Sequence, residues 1–310
     1  MDNPFSLKAK KKEFQKHGVY HSDDKMSEII CSPIPKDVKE VYDPTCGVGG
    51  LLKYFNDDVK KYGEEINAEM CAIASTIPNS NIINTDTLKA PRFLDKKFEA
   101  IVTNYPFSVK WEPKEDERFK GLPCLPPPSY ADYAFIFHIL HLLKDDGVAS
   151  VLCFNGILYR KNKEQKLREY LIECNFIDLI KAIKAKSFED TNIPTTLIVF
   201  KKNREANSPI TFINEDGDEK KVFITEIIDN NFCLSVSNYC PKKEVKEEVD
   251  PFEVEKLARK ALKNHLCQAL RLSNWIIALN FHDNKDVFNK DCFNQYLDSL
   301  KESINMFYID

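Results

Sequence analysis

The stretch Ala100-Ile-Val-Thr-Asn104-Tyr105-Pro106-Phe107-Ser108 determines how the rest of the chain is interpreted. It begins inside a short apolar, β-branched run, Phe98–Thr103, which predicts a buried strand. The run stops on an amide, an aromatic residue, a proline and a second aromatic residue. In open α/β sheets, ligands bind beyond the carboxyl ends of the strands. The stretch therefore indicates either a functional strand end or a plain strand exit, in which Asn104 caps a turn and Pro106 ends the pairing.

The composition is that of an ordinary soluble globular protein. The 310 residues are 43% hydrophobic and 30% charged, which suffices for a full core in one large domain or two modest ones. No apolar run is long enough to span a membrane, and no apolar segment follows the lysine-rich N-terminus, so we expect no secretory signal. The ten cysteines form no CxxC pair and have no histidine at ligand spacing. They predict reduced thiols in a cytoplasmic protein without a metal site.

A glycine-rich loop follows the first predicted strand, residues 38–42. It reads Asp43-Pro-Thr-Cys-Gly-Val-Gly-Gly50 and leads into an apolar run, residues 51–55, that predicts the start of a helix. Three of the nine glycines of the chain fall within four residues here. Glycines between a strand and a helix let the backbone turn tightly and approach a ligand without a Cβ in the way. The loop therefore predicts a binding site.

Polar residues follow each of the next predicted strands. The second strand, residues 59–62, leads to Glu65, and the third, residues 81–87, contains Asp86. In dinucleotide-binding folds, an acidic residue about 20 positions after a glycine loop hydrogen-bonds a ribose diol. Because parallel strands end at one edge of a sheet, these residues and Asn104 predict a single ligand cleft.

The carboxylate of Asp43 separates this loop from the phosphate cradle of a dehydrogenase, because it would repel a phosphate and attract a cation. We therefore expect a cationic cofactor with a ribose and a purine, and S-adenosylmethionine meets that description. In this scheme Glu65 binds the ribose hydroxyls, Ile66 packs on the adenine and Asp86 accepts from the adenine amino group. The cofactor-binding residues predicted here are Asp43, Thr45, Cys46, Gly47, Gly49, Gly50, Glu65, Ile66, Asp86, Thr87 and Asn104.

The segment from Asn104 to Phe107 supplies the acceptor half of the predicted reaction. The amino group of a base is a poor nucleophile, because its lone pair is delocalised into the ring. The side-chain oxygen of Asn104 and the backbone carbonyl of Tyr105 can hold the two amino hydrogens, and Phe107 can stack on a base flipped out of the duplex. Positioning and electrostatics then provide the rate without a metal. The predicted catalytic residues are Asn104, Tyr105, Pro106 and Phe107.

The second half of the chain continues to alternate between predicted strands and helices. Helices are predicted at 132–143 and 163–174, and strands at 147–154, Ile177–Ile183 and Thr195–Lys201. Alternation of this kind predicts an α/β fold with a doubly wound, mostly parallel sheet. The proline-rich residues 111–130 predict a long loop over the site. Residues 208–228 predict an additional hairpin or edge strands.

The predicted domain organisation has three parts. Residues 1–36 form an N-terminal segment with a first helix, and residues 37–241 form the catalytic domain. A charged linker, residues 242–250, precedes a helical C-terminal extension at 251–310. Helices are predicted there at 252–270, 275–281 and 291–307.

Seven short segments resemble, together and in order, the methylation (M) subunit of type I restriction–modification systems. The segments are Asp43-Pro-Thr-Cys-Gly-Val-Gly-Gly50, Gly63-Glu-Glu-Ile-Asn67, Asp86-Thr-Leu88, Asn104-Tyr-Pro-Phe107, Ala131-Asp-Tyr-Ala-Phe-Ile-Phe-His138, Asn155-Gly-Ile-Leu-Tyr159 and Asn192-Ile-Pro-Thr-Thr-Leu-Ile-Val-Phe200. The resemblance spans residues 15–215. It implies methyl transfer from S-adenosylmethionine to the N6 amino group of adenine, on a seven-stranded sheet with a final antiparallel strand.

The resemblance also implies partners. It implies duplex DNA with a flipped adenine as the substrate, and a separate specificity (S) subunit that chooses the site. A restriction nuclease subunit is left open. The net charge of −4 agrees with DNA contacts that are supplied mostly by a partner subunit, because a protein that binds duplex DNA alone usually shows a basic surface. We therefore expect weak DNA binding by this chain alone.

Two positions depart from the family pattern. Tyr105 stands where the family has a second proline in Asn-Pro-Pro-Phe, although its backbone carbonyl is retained. The family's Phe-Tyr-Thr-Pro motif, which contacts the methionine end of the cofactor, corresponds to Val19-Tyr-His-Ser-Asp23. Tyr20 and Ser22 are therefore added to the implied cofactor contacts. The family's helical N-terminal domain has no counterpart, which suggests a minimal methylase or one piece of a split system.

Two other functions compete with this interpretation. The Asn-x-Pro-aromatic chemistry also serves enzymes that methylate guanine in rRNA or a glutamine side chain, but these lack the motifs that follow Asp132. The second is a catalytically silent subunit that binds the cofactor or the S subunit without methylating. The altered positions Tyr105 and Ser22 motivate that alternative.

Overall fold

The computed structural model describes residues 24–184 and 194–241, together with residues 252, 255–265, 267–268, 294–295 and 298 of the C-terminal part. The chain divides into two compact units, Met1–Lys242 and Lys243–Asp310. The division falls inside the charged linker, and the wider domain boundaries stay a prediction. The described residues of the second unit are helical, and they fall within the first and third helices predicted there. The predicted helix at 275–281 lies outside the described residues.

Nine strands of the first unit form one sheet in the described residues. They are β1 (Glu40–Asp43), β2 (Lys60–Glu65), β3 (Ser80–Asn84), β4 (Phe98–Thr103), β5 (Leu143–Phe154), β6 (Ile177–Ile183), β7 (Thr195–Lys201), β8 (Ile210–Ile213) and β9 (Glu219–Val222). Their order across the sheet is β3-β2-β1-β4-β5-β7-β6-β8-β9. The strands from β3 to β5 are parallel, and β7 is antiparallel to both of its neighbours. The predicted α/β fold with a mostly parallel sheet is confirmed.

The predicted strand number of seven is wrong. The hairpin β8–β9 extends the sheet, because β8 pairs in parallel with β6 and β9 pairs antiparallel with β8. Without this hairpin, the backbone groups along the outer edge of β6 would lack partners. The hairpin lies within residues 208–228, where additional edge strands were predicted.

The helices lie on both faces of the sheet. They are α1 (Asp24–Cys31), α2 (Ala68–Ala74), α3 (Asp132–Leu142), α4 (Lys163–Glu173), α5 (Ile224–Asp229) and α6 (Val236–Tyr239). Alternate residues of β4 join different apolar clusters: Ile101 packs in the cluster that contains α3, and Val102 packs in the cluster that contains α1. Every residue of α3 except His141 is buried, as expected of a helix that is apolar all round.

The helix predicted after the glycine loop is not formed. Leu52–Tyr54 makes a single 3₁₀ turn, and the chain reaches β2 at Lys60. So few residues separate the loop from β2 that a helix of normal length does not fit. Leu51 and Leu52 are nevertheless buried, so their apolar character serves the core rather than a helix.

Residues 109–131, which we call the proline-rich strap, form an ordered loop. The strap is closed by two backbone bonds, from Trp111 N to the carbonyl of Pro128 at 3.1 Å and from Ala131 N to the carbonyl of Val109 at 2.8 Å. The indole nitrogen of Trp111 also donates to the carbonyl of Pro127 at 3.0 Å. The predicted long loop is confirmed, and its own hydrogen bonds join its two ends.

Candidate active site

The glycine loop turns at the carboxyl end of β1 because two glycines adopt left-handed backbone angles. Gly47 has φ of 55° and Gly49 has φ of 81°. A Cβ at Gly49 would lie 2.2 Å from Cδ1 of Ile77, so a side chain there would displace Ile77 and would also be strained by the positive φ. A Cβ at Gly47 would meet no protein atom within 4 Å, and this residue lines the adjoining cavity. The loop thus leaves room for a ligand at Gly47 and packs tightly at Gly49.

Asp43 lies beneath the loop and is only 1% exposed. Its Oδ1 accepts from the backbone N–H of Thr45 at 3.0 Å. Burial raises the pKa of this carboxyl from an ordinary 3.8 to about 7, against the lowering effect of the hydrogen bonds from Thr45 and Thr103. Asp43 therefore changes charge near neutral pH.

Glu65 connects the glycine loop to the start of α2. One carboxylate oxygen accepts from Gly47 N at 2.9 Å, and the other accepts from Asn67 N at 2.7 Å. The amide of Asn84 donates to the backbone carbonyl of Glu65 at 2.8 Å and to that of Ile66 at 3.0 Å. These bonds fix the end of β2 at the cavity, where the side chain of Ile66 is 69% exposed.

Asp86 occupies the corresponding position after β3. Its Oδ1 accepts from the backbone N–H groups of Leu88 at 3.0 Å and Lys89 at 3.2 Å. The carboxylate is therefore held in one orientation by the turn that it begins. Asp86 and the next residue, Thr87, both line the cavity.

These strand ends surround a cavity of about 330 Å³. Predicted site residues on its wall are Thr45, Gly47, Glu65, Ile66, Asp86, Thr87, Asn104 and Pro106. Predicted residues beneath or beside this wall are Asp43, Cys46, Gly49, Gly50, Tyr105 and Phe107. Wall residues that were not predicted as site residues are Pro44, Met70, Thr85, Leu88, Lys89, Phe135 and the strap residues Val109, Lys110, Trp111 and Glu112. The strap therefore supplies part of the cavity wall.

Some of the predicted site residues do not line the cavity. Cys46 is buried under the loop, and its sulfur would be 2.8 Å from a Cβ added at Gly63. Burial raises the pKa of this thiol, so Cys46 is a neutral packing group. Tyr20 and Ser22 lie outside the described residues. The roles assigned from sequence to all of these positions stay predictions.

The structure explains the unusual Tyr105. Its side chain is buried, stacks on Phe135 with ring centroids 5.0 Å apart, and meets Phe107 edge-on at 5.8 Å. The ring thus fills space between β4 and α3 and packs against the ring of Phe107. The backbone at position 105 stays at the end of β4, where a proline would also present its carbonyl. The substitution changes the packing under the site rather than its backbone acceptor.

A clamp that the sequence did not reveal holds the residue after Phe107. Ser108 has φ of 55°, and its Oγ lies 3.3 Å from Nη2 of Arg160. The guanidinium of Arg160 also lies 3.7 Å from the fully buried Asp132 and 4.0 Å from the centre of the Tyr130 ring. Asp132 lies in the segment Ala131–His138, and Arg160 directly follows the segment Asn155–Tyr159. Asp132 and Arg160 both lie more than 20 positions from Ser108 in the chain, so no local sequence pattern predicts their contacts with it.

Neither a metal-binding cluster nor a membrane-spanning helix occurs in the described residues. No group of three or more His, Cys, Asp and Glu side chains is placed there to hold a metal ion. None of the helices in that part of the chain has the length and apolarity needed to cross a bilayer.

Comparisons with known proteins agree on one family. The family model described as N-6 DNA Methylase matches residues 7–222, well over half of the chain. The methylase subunit of the type I restriction enzyme MpnII from Mycoplasma pneumoniae is 34% identical, over 80% of this chain and 49% of that protein. The methylase subunit of the HindI enzyme from Haemophilus influenzae is 23% identical, over 65% of this chain and 50% of that protein. The chain spans about half the length of the curated relatives it matches.

Solved structures show the same likeness. The methyltransferase subunit of a type I restriction-modification system from Streptococcus thermophilus aligns with a TM-score of 0.64 and 26% identity, over 71% of this chain and 58% of that one. The resemblance drawn from the seven sequence segments is confirmed at the level of the family. The matched residues include the glycine loop, the acidic residues Asp43, Glu65 and Asp86 at three strand ends, and Asn104–Phe107. The chain therefore belongs to the N-6 DNA methylase family.

Proposed function

We propose that this chain transfers a methyl group from S-adenosylmethionine to the exocyclic N6 amino group of adenine in DNA, as the modification subunit of a type I-like restriction–modification system. The observation that carries the proposal is the meeting of four strand ends around one cavity. The glycine loop, Glu65 and Asp86 line the cavity beside Asn104, which begins the acceptor segment. Membership of the N-6 DNA methylase family supports the same reaction.

The donors around the cavity suit this cofactor. A volume of about 330 Å³ is in the range of small-molecule sites. Carboxylates at Glu65 and Asp86 suit a ribose diol and an adenine amino group, both of which donate hydrogen bonds, and Ile66 offers an exposed apolar surface to a purine ring. Asp43 beneath the loop supplies negative charge for a cationic ligand. S-adenosylmethionine, when bound, supplies an electrophilic methyl group.

The acceptor segment prepares the amino group of the base. The side-chain oxygen of Asn104 and the carbonyl of Tyr105 accept its two hydrogens, which frees the nitrogen lone pair from the ring. Pro106 restricts the backbone between them and Phe107. Phe107 stacks on the flipped base, and Tyr105 supports Phe107 through the edge-on contact at 5.8 Å. Catalysis in this scheme is positioning and electrostatic stabilisation by the protein.

The partners of this reaction are part of the proposal. Duplex DNA with a flipped adenine is the substrate, and a separate specificity subunit selects the sequence. A restriction nuclease subunit joins the same complex in systems that also cleave. The matched proteins are named as subunits of type I restriction enzymes, which favours such an assembly.

A transfer assay tests the proposed function. Purified chain is incubated with tritiated S-adenosylmethionine and DNA free of adenine methylation, with and without a candidate specificity subunit. The DNA is then digested to nucleosides, and we expect label in N6-methyl-2′-deoxyadenosine when the specificity subunit is present. Cofactor binding without label under either condition would refute methyl transfer and favour the catalytically silent subunit.

The pKa of Asp43 leads to a pH prediction. Below pH 7 its carboxyl is protonated and neutral, and above pH 7 it is ionised, because burial raises the pKa to about 7. We expect the affinity for S-adenosylmethionine to rise up to about tenfold between pH 6 and pH 8. Isothermal titration calorimetry at both pH values measures this change.

Asp43→Asn is the matched variant for the pH prediction, since it keeps an oxygen to accept from Thr45 N. Its affinity should vary little over the same pH range. The free energy of unfolding of the wild type should fall as the pH rises toward 7, whereas the affinity for the cofactor rises. The carboxyl has a higher pKa in the folded state than in the unfolded state, so the folded state binds the proton more tightly and loses this advantage when the proton dissociates. An affinity that falls from pH 6 to pH 8 would contradict the role of Asp43.

The net charge of −4 leads to a prediction about DNA binding. We expect the chain alone to bind bare duplex with a Kd weaker than about 1 μM at physiological salt, because few phosphates are neutralised. Fluorescence anisotropy with a labelled duplex measures the affinity. Addition of the specificity subunit should tighten it. Nanomolar binding by the chain alone would show that it carries its own DNA-binding surface.

A further inference from the structure

A buried arginine in the proline-rich strap uses all five of its N–H donors. Arg118 is 5% exposed and lies in the 3₁₀ turn Glu117–Phe119. Its Nε donates to Oδ1 of Asp116 at 3.0 Å, and Nη2 donates to Oδ2 of the same carboxylate at 2.7 Å. The remaining donors reach the turn after β3 and helix α3: Nη1 donates to the carbonyl of Thr87 at 2.9 Å and to Nδ1 of His138 at 3.2 Å, and Nη2 donates to the carbonyl of Leu88 at 2.7 Å. A lysine has three donors in a different geometry and does not reproduce this set.

The contact between Arg118 and His138 determines the protonation of the histidine. A guanidinium only donates, so Nδ1 of His138 accepts and the hydrogen of the neutral ring is on Nε2. Nε2 lies 3.0 Å from the hydroxyl of Tyr42 and 3.2 Å from that of Thr87. Complete burial, assisted by Arg118, holds the pKa of His138 well below its ordinary value. His138 is therefore a neutral bridge.

Glu64 completes the network on the side of the sheet. Its Oε2 accepts from the hydroxyl of Tyr42 at 2.9 Å and from that of Thr87. Its Oε1 accepts from the backbone N–H of Arg92 at 2.5 Å. The hydrogens can thus be assigned without conflict from Arg118 through His138 to Glu64. Networks that are satisfied in this way hold one arrangement of their members.

The network joins two walls of the cavity. Thr87 and Leu88, whose carbonyls Arg118 binds, follow Asp86 directly and line the cavity on the side of the sheet. The backbone N–H of Leu88 in turn orients the carboxylate of Asp86. The strap that carries Arg118 lines the other side through Val109, Lys110 and Trp111. One guanidinium therefore bonds the turn at residues 86–88 to the strap through two backbone carbonyls.

We propose that Arg118 is a positioning residue for the cofactor: by clamping the turn at residues 86–88 to the proline-rich strap, it shapes the end of the cavity that receives the adenine. The inference rests on the proposed function, since it takes S-adenosylmethionine as the ligand. Arg118 does not line the cavity itself and acts through Asp86 and its neighbours. Its loss should weaken cofactor binding while leaving the acceptor segment at Asn104 in place.

The test compares two equally buried arginines. Arg204 has a side chain 4% exposed, against 2% for Arg118, and also bonds one carboxylate, that of Asp178, and two carbonyls, those of Ser208 and Pro209. It lies near the β7–β8 connection and does not line the cavity. Calorimetry without DNA measures the Kd of S-adenosylhomocysteine and of adenosine for Arg118→Lys and Arg204→Lys. Thermal unfolding is measured for both, and turnover is measured at saturating cofactor.

We expect Arg118→Lys to raise the Kd of both ligands by about tenfold, with turnover at saturating cofactor within about threefold of wild type. Equal effects on adenosine and on S-adenosylhomocysteine would locate the defect at the adenine end. Arg204→Lys should lower the unfolding temperature similarly and leave both Kd values unchanged. Should Arg118→Lys fail to fold, Asp116→Asn removes the charged partner of Arg118 and should raise both Kd values by about threefold.

The outcomes separate the inference from the proposed function. Equal Kd values for wild type and for the Arg118 or Asp116 variant that folds would overturn the inference alone. A Kd raised equally by Arg204→Lys would overturn it too, because a general loss of stability would then suffice. A wild-type chain that binds neither ligand would overturn the proposed function and the inference with it.

Discussion

Asn104→Ala is expected to lower the rate of methyl transfer by about 10³-fold or more while leaving the Kd of S-adenosylmethionine within about threefold of wild type. The substitution removes the side-chain acceptor for one hydrogen of the amino group, an interaction that acts on the acceptor and not on the cofactor. The neighbouring carbonyl of Tyr105 holds only the other hydrogen. The rate is measured with tritiated cofactor under single-turnover conditions in the presence of the specificity subunit.

Asn81→Ala is the matched control, because Asn81 is an exposed asparagine on β3 that does not line the cavity. Its transfer rate should stay within about twofold of wild type, as expected of a surface substitution. Near-normal transfer by Asn104→Ala would show that Asn104 is not the acceptor. A combined loss of transfer and of cofactor binding would instead assign Asn104 to the cofactor site.

Glu65→Ala is expected to raise the Kd of S-adenosylhomocysteine by about 100-fold. The carboxylate accepts from the backbone N–H groups of Gly47 at 2.9 Å and Asn67 at 2.7 Å, so its removal leaves two loop donors without their partner. In the proposed complex it also loses the ribose hydroxyls. Hydrogen bonds to charged groups contribute about 1.5–3 kcal/mol each, so the loss of more than one accounts for this effect. Calorimetry without DNA measures the affinity.

Glu65→Gln gives a finer test of the same site. The two carboxylate oxygens each face a backbone N–H, and a glutamine must present its NH₂ group to one of them. We expect an intermediate rise in Kd, about tenfold. Glu69→Gln, at an exposed position in the first turn of α2, removes one negative charge nearby and should leave the Kd unchanged. If Glu69→Gln weakened binding as much as Glu65→Gln, general electrostatics would replace the proposed contacts.

Much of the sheet could be predicted from local patterns. The strand Phe98–Thr103 and the strands Ile177–Ile183 and Thr195–Lys201 occur with the predicted bounds. Each is a short, largely apolar run that contains β-branched residues, which is a signal contained within the segment itself. The prediction of a helix at residues 51–55 was wrong, because an apolar run by itself does not distinguish a helix from a buried turn. The segment between the glycine loop and β2 is short, and Leu51 and Leu52 are buried without a helix.

For the candidate site too, some features could be predicted from local patterns and others could not. Glu65, Asp86 and Asn104 could be placed at one edge because each follows a predicted parallel strand, and all three line the cavity. The strap was predicted as a long loop over the site, but the residues by which it lines the cavity could not be predicted, because a loop has no periodicity that says where it returns. Asp43 was predicted to attract a cation, and that role stays a prediction; the structure adds that the residue lies beneath the loop and not on the cavity wall. Its depth, and the raised pKa that follows from it, depends on packing from several elements.

The sequence alone determined the alternation of strands and helices, the position of the glycine loop, the polar residues at the strand ends and the family. These features depend on residues that are neighbours in the chain, so periodicity and short motifs contain them. Only the tertiary structure decided that Tyr105 packs on Phe135, that Arg160 holds Ser108, and that Arg118 joins the strap to the turn at residues 86–88. Each of these contacts joins side chains or carbonyls about 30 or more positions apart, and the burial that makes them strong exists only after the sheet has formed.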